Sequence, residues 1–150
     1  MDETTQNIPA KPAGDVYPNN MEDIGKLLLR ITIAGLMLFH GIAKLKSGVG
    51  GIESMLDGAG LPTALAYGVY IGEVLVPILM LLGVLTRLSS IVFAFNMLVA
   101  VLLGHGSELL SLNKYGGWEI ELPLLYLMGA VVIALIGPGR FAILPGRQPH

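Results

Sequence analysis

Glu73 stands inside an unbroken apolar run that covers residues 63–85. It lies about ten residues from the start of that run, roughly 15 Å along a helix at ~1.5 Å per residue. If the run crosses a bilayer, this carboxylate sits near the midplane. An ionised group there must be paired, hydrated or neutralised, because a bare charge in hydrocarbon costs several kcal/mol. Two kinds of role meet that requirement. Glu73 can relay protons or hydrogen-bond a quinone or other substrate, or it can fix helix packing through a structural hydrogen bond.

The other candidates also fall within or beside apolar runs. His40 lies toward the far end of the first run, and Lys44 follows at i+4 on the same helical face. Asn96 is in the middle of the third run. His105 ends that run, and Trp118, Glu119 and Glu121 introduce the fourth. Histidine can take up protons near neutrality, bind a quinone carbonyl or ligate a metal. Glu73 and His40 are therefore the candidate proton or quinone site. His105, Glu119, Trp118, Lys44 and Asn96 are candidate ligand contacts. Each has a plainer alternative: Lys44 as a headgroup anchor, Trp118 as a belt aromatic, Glu119 as a carboxylate favoured by a helix N-terminus. His40, His105 and Glu119 lack the HxxxH or ExxH spacing of a helical metal site, so no metal is expected.

The chain has no cysteine. That excludes disulfides, thiolate-bound iron–sulfur clusters and CxxC redox chemistry. No cofactor is expected in the chain itself, and a redox role would need a membrane quinone or an electron-carrying partner. The formal charge of −2, without a basic stripe, gives no footprint for nucleic acid.

The elements that position these residues follow from the charge pattern. Only 13% of residues are charged and 53% are hydrophobic, against about 25% charged in soluble domains. The apolar residues form long runs at 24–45, 63–85, 88–103 and 120–136. An all-α integral membrane bundle of four transmembrane helices is expected, occupying residues 24–144, with the bilayer as its surroundings. A disordered polar cytoplasmic tail is expected over 1–23, and a short tail over 145–150. The Gly-rich connection after the first run contains Ile-Glu-Ser-Met-Leu-Asp, a short amphipathic segment suited to the membrane surface. Arg30 is placed to snorkel toward headgroups, Pro77 to kink the second span, and Gly68 and Gly72, at GxxxG spacing, to allow close helix approach within or between chains. Lys11, Lys26, Arg30, Arg87, Arg140 and Arg147 fall on one side of a four-span arrangement, and Lys44, Lys46 and Lys114 on the other. The positive-inside rule then puts both termini in the cytoplasm.

The order of short motifs resembles the DoxX family. They are Leu27-Leu-Leu-Arg30, Leu38-Phe-His-Gly-Ile-Ala-Lys44, Gly60-Leu-Pro62, Gly72-Glu73, Gly83-Val-Leu-Thr-Arg87, Gly116-Gly-Trp-Glu119 and Gly137-Pro-Gly-Arg140. The resemblance implies a four-helix protein of the bacterial inner (plasma) membrane, associated with quinone-linked oxidoreductase complexes. It supplies no catalytic motif. A subunit of or accessory to a membrane redox complex is the leading expectation, with protein partners and homo-oligomers as its company. A non-enzymatic scaffold or assembly factor, and an oligomeric transporter of small solutes, are the alternatives.

Overall fold

The computed structural model describes residues 19–106 and 109–144. The described residues are helical throughout, apart from turns and one isolated bridge between Leu112 and Trp118.

Helix α1 (Asn19–Ser47) has 29 residues, about 43 Å at the standard rise and longer than the ~30 Å of a hydrocarbon core. Glu22 in its first turn and Lys44 and Lys46 in its last complement the helix dipole. The helix begins a turn before the apolar run, so residues 19–23 of the expected polar tail are helical. The rest of that tail, and 145–150, lie outside the described residues.

Helix α2 (Gly50–Gly58) is the expected amphipathic segment. It turns Leu56 inward onto Val49, Ala66 and Val69, with Ile52, Tyr70 and Leu103 around them. It thereby closes one end of the bundle.

Helix α3 (Thr63–Leu82) changes character along its length. A 3₁₀ turn at Thr63–Tyr67 leads through Gly68–Tyr70 into a π-helical turn at Ile71–Leu75, and a regular α-helix resumes at Val76–Leu82. In the wide turn the Val76 N–H reaches back to the Ile71 carbonyl. Pro77 accounts for part of this: it has no N–H to offer the Glu73 carbonyl four residues earlier. The deformation expected at Pro77 is thus a bulge just ahead of it, and such bulges recur at functional sites.

Gly83, at φ 71°, ends α3 in the left-handed conformation. Its N–H bonds the Met80 carbonyl at 3.1 Å, and Val84 N–H bonds Leu79 at 2.9 Å. The chain then enters α4 (Thr86–Gly104) almost at once, and α5 (Glu121–Ile136) packs along α4. The shared core holds Ala34, Met37, Val76, Met80, Phe93, Met97, Tyr126, Ala130 and Ile133. Large apolar side chains face outward on every helix, Phe39, Phe95 and Leu135 among them. Helices apolar on both faces need lipid rather than water around them. Three of them, α1, α3 and α4, are long and apolar enough to cross a membrane, while α5 is apolar but has 16 residues.

Two expectations need correcting. Arg30 does not snorkel: it is fully buried. Its Nη1 and Nη2 donate to the carbonyls of Pro138 and Phe141 at 2.7 and 2.8 Å. That is feasible because of the path of residues 137–144. They fold back on the α3–α4 turn, with Ile143 N–H on the Leu82 carbonyl at 3.0 Å and Leu144 N–H on Gly83 at 3.3 Å. Lastly, Gly68 and Gly72 do not act as a pair within the chain. A Cβ at Gly68 would meet nothing, whereas one at Gly72 would fall on the Asn96 side chain.

Candidate functional site

Glu73 lies on the π-helical turn, and its side chain is 5% exposed. Its Oε1 accepts a hydrogen bond from Lys44 Nζ at 2.5 Å, and the lysine side chain is 32% exposed. Lys44 is therefore more than a headgroup anchor. It neutralises the one carboxylate that the sequence places inside α3. Oε2 of the same carboxylate is buried without a hydrogen-bond partner. A buried acceptor left unmade costs about 1–3 kcal/mol, and here the carboxylate can accept a donor that the fold does not supply.

Two close approaches hold this arrangement. Gly41 of α1 lies against the Glu73 carbonyl and the Val74 side chain, so closely that a Cβ would overlap both. The Glu73 carbonyl is the one that Pro77 leaves without its usual α-helical partner. On the other side of α3, Gly72 lies under Asn96 of α4, whose Nδ2 is likewise buried and unpartnered. One turn before Glu73, the Tyr70 hydroxyl donates to the Lys44 carbonyl at 3.4 Å and ties the end of α1 to α3.

The remaining candidates fall in separate places. His40 lies one turn before Lys44 but turns its ring edge-on to Tyr126 of α5, 6.0 Å between centroids. Tyr126 in turn stacks obliquely on Phe93 of α4 at 6.3 Å. His40 and Glu73 thus flank α1 on different neighbours, and no direct contact joins them. Neither Tyr126 nor Gly41 stands out as a site residue in the sequence. His40 is interior to α1, while His105 follows the end of α4, so the two histidines occupy unlike positions.

Trp118 and Glu119 belong to the connection before α5. Trp118 Nε1 donates to the Leu109 carbonyl at 2.7 Å, and Glu119 N–H donates to Ser111 at 3.0 Å. Asn113 Oδ1 accepts from the N–H groups of Tyr115 and Gly117 and closes this loop on itself. No hydrogen bond or ion pair joins Trp118 or Glu119 to the Glu73–Lys44 pair among the described residues. Among those residues, no three His, Asp or Glu side chains come together as a metal site would require.

The geometry is that of a buried, neutralised proton-bearing pair on a helix bulge, with one acceptor and one donor held in reserve. The sequence pattern of the DoxX family matches residues 25–106. The chain belongs to the DoxX family. That match contains both members of the pair and Asn96, and it stops before α5. The DoxX chain is also 30% identical over 128 residues to the protein named "Putative oxidoreductase CatD" of Bacillus subtilis (strain 168), covering 85% of this chain and 90% of that one. No solved structure matches it.

Proposed function

We propose that this DoxX protein is a subunit of, or accessory to, a quinone-linked membrane redox complex, with Glu73 as the group that handles its proton or holds the quinone ring. The observation that carries this reading is the Lys44–Glu73 pair on the π-helical turn, whose second carboxylate oxygen is buried and unpartnered. A pair that only stabilised packing would gain from satisfying every lone pair, and the fold leaves one open. The name of the Bacillus relative is consistent with a redox role.

In this reading Lys44 holds Glu73 Oε1, and the unpartnered Oε2 receives the proton of a hydroxyl donor. Return of that proton through Lys44, which is one-third exposed, leads it toward the end of the bundle. Asn96 Nδ2 is a second donor near the same helix. His40, on the far side of α1, is a proton acceptor close to Tyr126. The chain holds no cysteine to store an electron, so electrons pass between the quinone and a partner protein. We further infer that α5 is a fourth span, that the membrane is the bacterial plasma membrane, and that both termini face the cytoplasm. The excess of Lys and Arg on the side of the α3–α4 turn supports that orientation.

The experiment is a comparison of quinone-dependent electron transfer in membranes of a deletion strain carrying the wild-type chain, Glu73→Gln or Lys44→Gln. Loss of the rate in both variants, at wild-type protein level, is expected. Undiminished rates in both would end the redox reading. The second reading, a scaffold for other membrane proteins, is favoured by the exposed Leu110, Leu112 and Tyr115 of the 109–118 loop, at 95%, 70% and 84% exposure. A scaffold would tolerate Glu73→Gln and lose function on substitution in that loop.

A further inference from the structure

The opposite end of the bundle gathers positive charge, and two of its arginines, Arg30 and Arg87, have no carboxylate partner among the described residues. Arg30 is fully buried, and both of its Nη donate to main-chain carbonyls of residues 137–141. Its Nε has no partner, and no carboxylate pairs with it among the described residues. Its Nη1 lies against Gly83, where a Cβ would come within 2.7 Å. The carboxylates at this end are already engaged: Glu22 takes Lys26, and Asp23 takes the Arg140 N–H at 3.0 Å and faces its Nε at 3.9 Å.

Three residues after Gly83, α4 begins with a further set of donors. Its N-cap is Leu85, a side chain with no acceptor, and no side chain caps the helix. The first-turn N–H groups are therefore left open, at the positive end of a 19-residue helix. Thr86, at the first position, is 3% exposed, and its Oγ1 has no hydrogen-bond partner. Arg87, at the second, is exposed and makes no ion pair or hydrogen bond among the described residues. Its guanidinium lies beside Gly137, with Nε 3.3 Å from where a Cβ would be. Two guanidinium groups, a buried hydroxyl and an uncapped helix start thus meet at the junction of the α3–α4 turn with the 137–141 loop. Each of them can donate, and the nearest carboxylate, Asp23 beside Gly139, is already engaged by Arg140.

We propose that this junction binds the phosphate of an anionic membrane phospholipid. Arg87 and the open N–H groups of the first turn of α4 hold the phosphate oxygens, and the buried charge of Arg30 supplies the field behind them. A headgroup is the source that fits, because the site lies at one end of apolar helices whose outward faces carry lipid chains. The site is independent of the redox reading and does not use Glu73 or Lys44.

The test uses the full chain, purified in mild detergent and stripped of lipid. Phosphatidylglycerol, phosphatidylcholine and inorganic phosphate are titrated in turn, and binding is followed by native mass spectrometry and by the midpoint of thermal unfolding. Arg87→Gln is the variant, an exposed position that the fold does not depend on. Lys46→Gln, exposed at the other end of the bundle, is the control. Phosphatidylglycerol should bind more tightly than phosphatidylcholine. Arg87→Gln should weaken it about five- to tenfold, as expected for losing one arginine at a membrane surface, and Lys46→Gln should leave it unchanged. Equal binding of the two lipids, or equal weakening by the two substitutions, overturns the site. Inorganic phosphate that stabilises the protein as well as phosphatidylglycerol does would overturn the assignment to a lipid, and an effect of neither anion would overturn the proposal entirely.

Discussion

Removing Lys44 should harm the protein more than removing the charge it answers. In Lys44→Gln the Glu73 side chain, 5% exposed in the wild type, loses its cation. Breaking a fully buried pair in this way costs about 3–5 kcal/mol. Lys44 is 32% exposed, so the pair is partly screened and about 2–4 kcal/mol is the appropriate range. In Glu73→Gln the amide can still accept from Lys44, whose long chain can also reach the headgroups, and about 1–2 kcal/mol is expected. The double substitution leaves two neutral groups and should cost little more than Glu73→Gln alone. The coupling between the sites is then close to the cost of Lys44→Gln itself, about 2–4 kcal/mol, at the upper end of the range found for residues in contact. The assay is reversible unfolding in mixed micelles, applied to the wild type, both single variants and the double variant. Additive effects, with coupling below about 0.5 kcal/mol, would refute the pair as an energetic unit. A larger loss from Glu73→Gln than from Lys44→Gln would refute the sense of the argument.

Other consequences follow from the close packing around the pair. Gly72→Ala places a methyl group on Asn96 and should cost about 1–3 kcal/mol. Adding Asn96→Ala should recover most of that loss, as measured by the same unfolding assay. Gly41→Ala meets main chain rather than a side chain, the Glu73 carbonyl, so it should cost at least as much and no single side-chain truncation should rescue it. Arg30→Met removes both donors to the Pro138 and Phe141 carbonyls and should speed amide exchange at Ile143 and Leu144 far more than in α1. Because the chain has no cysteine, single cysteines at Lys46 and Arg87 can be labelled cleanly in intact cells. The first should react with an impermeant maleimide and the second only after lysis. Labelling of both from outside would contradict the orientation.

Much of the helical layout was legible because the bilayer imposes a length scale on apolar runs. Residues 63–85 and 88–103 announced helices, and the ends at Gly83 and Gly104 came within a residue or two of where punctuation put them. Glu73 was legible for the same reason, since a lone carboxylate in such a run demands a partner. Which partner it takes was not legible: Lys44 is 29 residues away, and its position suits headgroups equally well. Arg30 was misread because snorkeling and burial look alike in sequence. The difference lies in whether remote carbonyls arrive to receive it, and those come from Pro138 and Phe141. The π-helical turn had only Pro77 as a signal, and a proline does not say on which side the helix will widen. Gly41 was hidden among 20 glycines, and Gly72 stood out by its spacing but without its neighbour, Asn96. A glycine's role there depends on what approaches it, and that is a property of the folded chain.

The most direct test of the proposed function is the quinone content of the protein itself. The wild-type chain, Glu73→Gln and His40→Ala are extracted gently from their own membranes with native lipid retained, and quinone is quantified per chain. A redox role requires quinone near one per wild-type chain and a clear fall in Glu73→Gln. Quinone no more abundant than in the surrounding lipid, and the same in all three proteins, would contradict it.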